Sequence, residues 1–213
     1  MVRVVVVTDR RLFGSEEIAG RVEDILEAVP RGSVAIQIRE KDLDGGPLLR
    51  LVHEVLEVAR PLGAPVWVND RVDVALAAGI GVHLPEQGMS IADARAAATA
   101  AGRTLAIGCS RHTTAAVVAA AAEGIEHVHL GPIWSTPGKD APIGLDPLDV
   151  RGDMPATVKL VAVGGIDSPT RARQAASAGA DAIAVIRAAW VGDAPAAMIA
   201  SLVEAVEAGV ALR

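Results

Sequence analysis

Gln37, Arg39 and Lys41 occupy every second position of "VAIQIREKD". In an extended strand that spacing sends an amide, a guanidinium and an ammonium to one side. Two cations on one face call for an anion, with arginine as a fork for phosphate and lysine as a point charge. Gln37 is then a hydrogen-bonding neighbour. An internal ion pair with Glu40 or Asp70 is the other way to avoid the cost of burying unpaired charge. Lys139, in the Gly- and Pro-rich stretch "GPIWSTPGKDAPIG", could add a third cation. His112 in "GCSRHTT" precedes an alanine-rich stretch, and an imidazole titrating near neutral pH suits a general acid or base. "VAVGGI" runs into Gly164 and Gly165, where a backbone without Cβ atoms lets N–H groups approach a ligand closely. "GADAIAVI" is followed by Arg187, a further charge for that seat. The histidines and Cys109 form no metal-binding motif; His83 and His129 read as barrel-interior or strand-end residues, and Cys109 as a small buried one.

These residues need elements to hold them. Short runs rich in β-branched residues, "VRVVVVT", "VAIQIR", "PVWVN", "GVHL", "TLAIG", "HVHLG", "VKLVAVGG" and "AIAVI", begin near residues 2, 34, 65, 81, 104, 127, 158 and 182. Most are separated by stretches with helical spacing such as "SIADARAAATAAG" and "TTAAVVAAAAEG". Apolar runs without alternation suit parallel strands covered on both faces, and alternation with helices suits right-handed βαβ units. Eight such units predict a (β/α)8 barrel in one domain over residues 1–213, with only a brief helix, "RVDVALAAG", between the third and fourth strands. An open doubly wound sheet is disfavoured, because no G-x-G-x-x-G follows the first strand. In a barrel, function gathers at the C-terminal strand ends. Thr8, Asp9, Arg10, Asn69, Asp70, His83, Ser110, His112, His129, Thr136 and Arg187 all stand at or just past such ends.

Composition narrows the partners. The net charge is −6 and the basic residues are scattered, so neither nucleic acid nor an anionic membrane is expected. The single Cys109 excludes an internal disulfide and fits a reducing compartment. The opening "MVRVVVVTDRR" is too short an apolar run for a signal peptide, and no later run approaches a membrane span. The expectation is a soluble cytoplasmic protein acting on a small anionic molecule, with the oligomeric state left open.

In this order the motifs resemble one family, the thiamine phosphate synthase and TenI family of thiamine biosynthesis. "QIREKD" is similar to its Q-x-R-x-K, "GCSRH" to G-x-S-x-H, and "GPIWSTPGK" to G-P-I-F-x-T-x-x-K, while "VNDRVDVALAAGIGVHL", "VAVGGI" and "GADAIAVI" match further stretches. The resemblance implies that Gln37, Arg39 and Lys41 bind the diphosphate of an aminopyrimidine substrate, assisted by Asn69, Ser110 and Lys139. It implies that a thiazole phosphate meets Thr136, Gly164, Gly165, Ile186 and Arg187, that Asp70 is a magnesium ligand, and that His112 and Lys139 are catalytic.

The resemblance departs from the synthase pattern at three positions. Gly88 stands where the synthase has its second magnesium aspartate, Gly138 where it has a second hydroxyl, and Arg187 where it has a serine. Glu86, two residues from Gly88, is a poor substitute ligand. "HLPEQGMS" is more similar to the TenI branch, whose members are thiazole tautomerases that use the histidine of G-x-S-x-H and need no metal. The sequence therefore favours a tautomerase without cofactor, with a magnesium-dependent thiamine phosphate synthase as the alternative. A non-catalytic ligand-binding or regulatory relative is the third reading.

Overall fold

A computed structural model describes residues 1–13, 18–136 and 141–213. Its eight strands are β1 (Val4–Val7), β2 (Val34–Ile38), β3 (Val66–Asn69), β4 (Gly81–Leu84), β5 (Ile107–Arg111), β6 (His127–Leu130), β7 (Lys159–Val163) and β8 (Ala182–Val185). Every neighbouring pair is parallel, and β8 returns to β1 to close the barrel in sequence order. Closure leaves no edge strand unpaired. The eight-stranded barrel expected from the sequence is the one observed.

Seven α-helices cover the described barrel: α1 (Ile18–Glu27), α2 (Gly45–Ala59), α3 (Val72–Ala78), α4 (Ile91–Ala100), α5 (Thr114–Ala122), α6 (Pro169–Ser177) and α7 (Pro195–Val210). Local chemistry sets their starts. The side chains of Ser90, Thr113 and Ser168 accept hydrogen bonds from the backbone N–H groups of Asp93, Ala116 and Arg171, satisfying first-turn donors. Pro169 and Pro195 stand in first turns, where a missing N–H costs nothing. The brief α3 ends at Gly79 with φ 68°, a left-handed cap that glycine adopts without strain. Between β6 and β7 the expected helix is replaced by a 3-10 helix, Asp146–Asp153; "DPLDVRGD" holds a proline and a glycine and little that would propagate an α-helix.

Strand alternation divides the side chains into two sets. Val4, Val6, Val34, Ile36, Ile38, Val82 and their equivalents pack outward against the helices in the main core. Val5, Val7, Ala35, Trp67, Val161, Ala182 and Ala184 form a separate cluster inside the barrel. The register extends that inner set to Gln37, Asn69, Gly81, His83, Gly108, Ser110, His127 and His129. Large inner rings are matched to glycines on neighbouring strands: a Cβ on Gly81 would overlap the Trp67 indole, and one on Gly108 would overlap the His127 ring.

Candidate functional site

At the end of β2, Gln37 is buried and its amide donates to Oδ1 of Asn69 on β3 (3.3 Å). The strand itself stops at Ile38. Arg39 follows it half-buried, its backbone N–H bonded to the Thr8 hydroxyl at 2.9 Å, and Lys41 stands exposed in the turn beyond. The single strand face expected for the three residues is thus correct for Gln37 but not for Lys41. β1 offers the Thr8 side chain in place of another rung of backbone ladder, so pairing ends there.

The expected alternative for the two cations, an ion pair with Glu40 or Asp70, is not formed. Glu40 is buried and turned the other way: its carboxylate accepts the backbone N–H of Arg10 and lies 3.7 Å from the Arg10 guanidinium. Asp42 is also held by Arg10 (2.8 Å), Asp9 by Arg11 (2.8 Å) and Asp73 by Arg71 (2.6 Å). Other arginines thus consume these carboxylates, and among the described residues no carboxylate forms an ion pair with Arg39 or Lys41.

A second group of candidate residues lies at the ends of β7 and β8. Gly164 (φ 101°) and Gly165 (φ 68°) both adopt positive-φ backbone conformations that favour glycine. They are also crowded: a Cβ on Gly164 would stand 2.6 Å from the Pro132 Cβ, and one on Gly165 2.7 Å from the Trp134 Cβ. The Trp134 N–H donates to the Gly164 carbonyl (3.1 Å), which ties the root of the β6 loop to this turn. The N–H groups of Gly164, Gly165, Ile186 and Arg187 find no acceptor among the described residues. Ile186 is half-buried and the Arg187 side chain is exposed beside them. Thr136 is half-buried on the β6 loop; Lys139 and Gly138 lie outside the described residues.

The third feature is His112, just past β5. Its Nδ1 bonds to the Gly131 carbonyl, an acceptor, so that nitrogen carries the proton. Nε2 is left facing Glu86, whose Oε2 is 3.6 Å away. A ring held by a carbonyl on one nitrogen and a carboxylate near the other is positioned to move a proton at Nε2. Glu86 therefore addresses His112.

Asp70 follows β3 in a left-handed conformation (φ 67°) and is exposed. Gly88 faces it: a Cβ there would lie 2.8 Å from Asp70 Oδ1. The position read as the missing second aspartate is thus beside the first. The described residues offer magnesium one free carboxylate here, which suits an ion brought in on a phosphorylated substrate rather than a site preformed by protein.

Sequence reading passed over what the barrel does with its histidines. Ser110, expected as a substrate ligand, has its hydroxyl 2.8 Å from His83 Nε2, and His83 Nδ1 is 3.1 Å from His127 Nε2. His129 packs against His83 with ring centroids 4.2 Å apart. All three histidines are buried, and desolvation pushes each below the ordinary imidazole range, His127 to about 4. The signal available was H-x-H on β6, two side chains on one face, but the contribution of His83 from β4 needed the register. Cys109 points outward, fully buried, its thiol pushed up to about 11 by burial, which makes it an inert packing residue.

The chain is similar to known proteins over most of its length. The chain is 38% identical over 211 residues to a thiamine-phosphate synthase of Anaeromyxobacter dehalogenans, covering 95% of this chain and 92% of that one. It is 35% identical over 196 residues to a thiamine-phosphate synthase of Chloroflexus aurantiacus, covering 90% and 86%. Among solved structures, the thiamine phosphate pyrophosphorylase of Pyrococcus furiosus superposes with a TM-score of 0.83 at 30% identity, covering 98% of this chain and 97% of that one. The family model described as thiamine monophosphate synthase matches residues 4–189, and the chain belongs to that family.

Proposed function

We propose that the protein is a thiamine phosphate synthase, joining an aminopyrimidine diphosphate to a thiazole phosphate with release of pyrophosphate. The observation that carries this reading is that two separate sets of unpartnered groups able to bind anions follow the C-terminal ends of the strands. One is the pair of cations Arg39 and Lys41, without ion pairs among the described residues, in the chain just past Gln37 on β2. The other is built from the unpartnered N–H groups of Gly164, Gly165, Ile186 and Arg187. Two phosphorylated substrates require two such seats, and the synthase names of the relatives shift the balance to this coupling reaction from the isomerisation that the sequence favoured.

In this reading Arg39 and Lys41 take the diphosphate and the β7–β8 turn takes the monophosphate. Asp70 would hold magnesium together with diphosphate oxygens, and the ion would neutralise charge on the departing pyrophosphate. Ser110, Thr136 and Lys139 serve as further substrate contacts. The reaction belongs in the cytoplasm, in keeping with one buried reduced thiol and no helix among the described residues long and apolar enough to cross a membrane.

The test is to supply both phosphorylated substrates with magnesium and to follow pyrophosphate and thiamine phosphate. Product formation that stops when magnesium is chelated is expected. A second reading, a metal-independent thiazole tautomerase, is favoured by one specific feature, the His112 ring held between Gly131 and Glu86 opposite a position lacking its aspartate. Isomerisation of a thiazole carboxylate phosphate without any coupling would replace the synthase reading with this one. Binding of both ligands without turnover would support a silent relative.

A further inference from the structure

His83, His127 and His129 can each turn a ring nitrogen into one small space, all three within 4.8 Å of one another and all three buried. The arrangement depends on a missing side chain. In the barrel register His83 on β4, Gly108 on β5 and His127 on β6 share one row. Gly108 contributes nothing to that row, and the His127 ring occupies the place its Cβ would take. Two histidines separated by a whole strand thereby meet at 3.1 Å. His129, two residues on from His127, enters the same space from above.

Hydrogen bonding within the barrel leaves this cluster unsatisfied. His83 Nε2 has the Ser110 hydroxyl, and His83 Nδ1 and His127 Nε2 have each other. His127 Nδ1 and His129 Nε2 are buried with no partner. With the Ser110 oxygen accepting from His83 Nε2–H, the His83 Nδ1 lone pair is directed at the cluster. Orientation of a ligand histidine by a hydrogen bond on its far nitrogen is the usual arrangement around metal ions.

We propose that His83, His127 and His129 form a binding site for a zinc-class divalent transition metal inside the barrel. Three neutral imidazoles suit such an ion and leave a fourth position open. Tetrahedral bonds of about 2.0–2.1 Å place ligand nitrogens about 3.4 Å apart, so the His83–His127 pair needs only a slight opening and His129 a ring rotation. Arg39 and Arg111 raise the positive potential around His83. The ion therefore calls for an anionic fourth ligand entering from the mouth. The cluster shares no ligand with the magnesium position proposed at Asp70, and its test reads metal binding directly whichever reaction the mouth performs.

Cobalt titration of the chelator-treated full-length protein tests it, because four-coordinate Co2+ absorbs strongly in the visible. One equivalent should develop intense ligand-field bands that zinc then abolishes. His129→Gln should remove the bands, while His53→Gln, on the exposed face of α2, should leave them unchanged. Circular dichroism reports whether each variant folds. If His129→Gln does not fold, Ser110→Ala carries the test, since it keeps all three rings and removes only the orienting hydroxyl; affinity should fall by about 10–100-fold. No bands at one equivalent, the weak spectrum of a six-coordinate ion, or bands undiminished in the folded variant would each overturn the proposal.

Discussion

Gly88 and Asp70 are neighbours on the loops that follow β4 and β3: a Cβ on the glycine would lie 2.8 Å from the aspartate Oδ1. A carboxylate introduced at position 88 would therefore stand beside that of Asp70. Gly88→Asp should place two carboxylates together, raising the affinity for Mg2+ and the synthase rate at limiting magnesium. Some stability should be lost, since the same Cβ meets the Pro85 ring at 2.8 Å. A magnesium titration of pyrophosphate release in both proteins checks this; superimposable curves would show that the new carboxylate points elsewhere.

Arg39→Gln should raise KM for the aminopyrimidine diphosphate by roughly 10–100-fold, the worth of a lost charge-assisted hydrogen bond. Lys41→Gln should cost less, because Lys41 is exposed and its field is screened. Steady-state kinetics at two salt concentrations should show the Lys41 effect shrinking more at high salt.

If the β7–β8 turn takes a phosphate, two substitutions there should behave differently. Arg187→Ala removes an exposed charge and should leave stability unchanged while weakening thiazole phosphate binding about tenfold. Gly165→Ala forces a side chain into a left-handed backbone against Trp134 and should destabilise the fold by about 1–3 kcal/mol. Urea titration and calorimetric binding separate the two effects.

For His112 the two reactions give opposite outcomes. If the protein isomerises a thiazole, His112→Ala should lower that rate by about 10²–10⁴. Glu86→Gln should then alter the pH profile of the isomerisation without removing activity. If the protein couples two substrates, both changes should leave pyrophosphate release much less affected.

Glu40 carries a pH signature. Burial holds its carboxyl above the ordinary carboxylate range, with the Thr8 hydroxyl and the Arg10 N–H pulling it partly back. A carboxyl raised in the folded state binds its proton more tightly there than in the unfolded chain. Its contribution to stability is full below the unfolded value of about 4.3 and is lost as pH rises through the folded value. Glu40→Gln buries no charge, so its stability relative to the parent should improve as pH rises from about 4.3 through the folded value and stay level above it. Denaturant midpoints measured across pH should diverge in that direction; parallel profiles would contradict it.

Much of this architecture is legible in the sequence because parallel strands write themselves as apolar runs. Seven of the eight expected strand starts fall within two residues of the observed ones, and "TLAIG" begins three residues before Ile107. The 3-10 helix at Asp146–Asp153 escaped because the pattern of alternation predicted a helix where the local residues disfavour one. Strand spacing extended past Ile38 misplaced Lys41, since periodicity carries no mark of where the ladder ends. The contacts between Glu86 and His112, and among His83, Ser110 and the histidines of β6, join residues far apart in the chain. Only the register brings them together, and register is a property of the closed barrel rather than of any one segment.

The matching of Trp67 to Gly81 sets a rule for how this barrel can drift. A small residue at 81 is tolerated only because an indole fills the space beside it, and the indole fits only because position 81 is bare. Neither residue can change size alone without opening a void or forcing an overlap. Across related sequences the two positions should therefore vary jointly, a smaller ring at 67 appearing with a larger side chain at 81. A library randomised at both sites should recover folded proteins whose summed volume stays nearly constant.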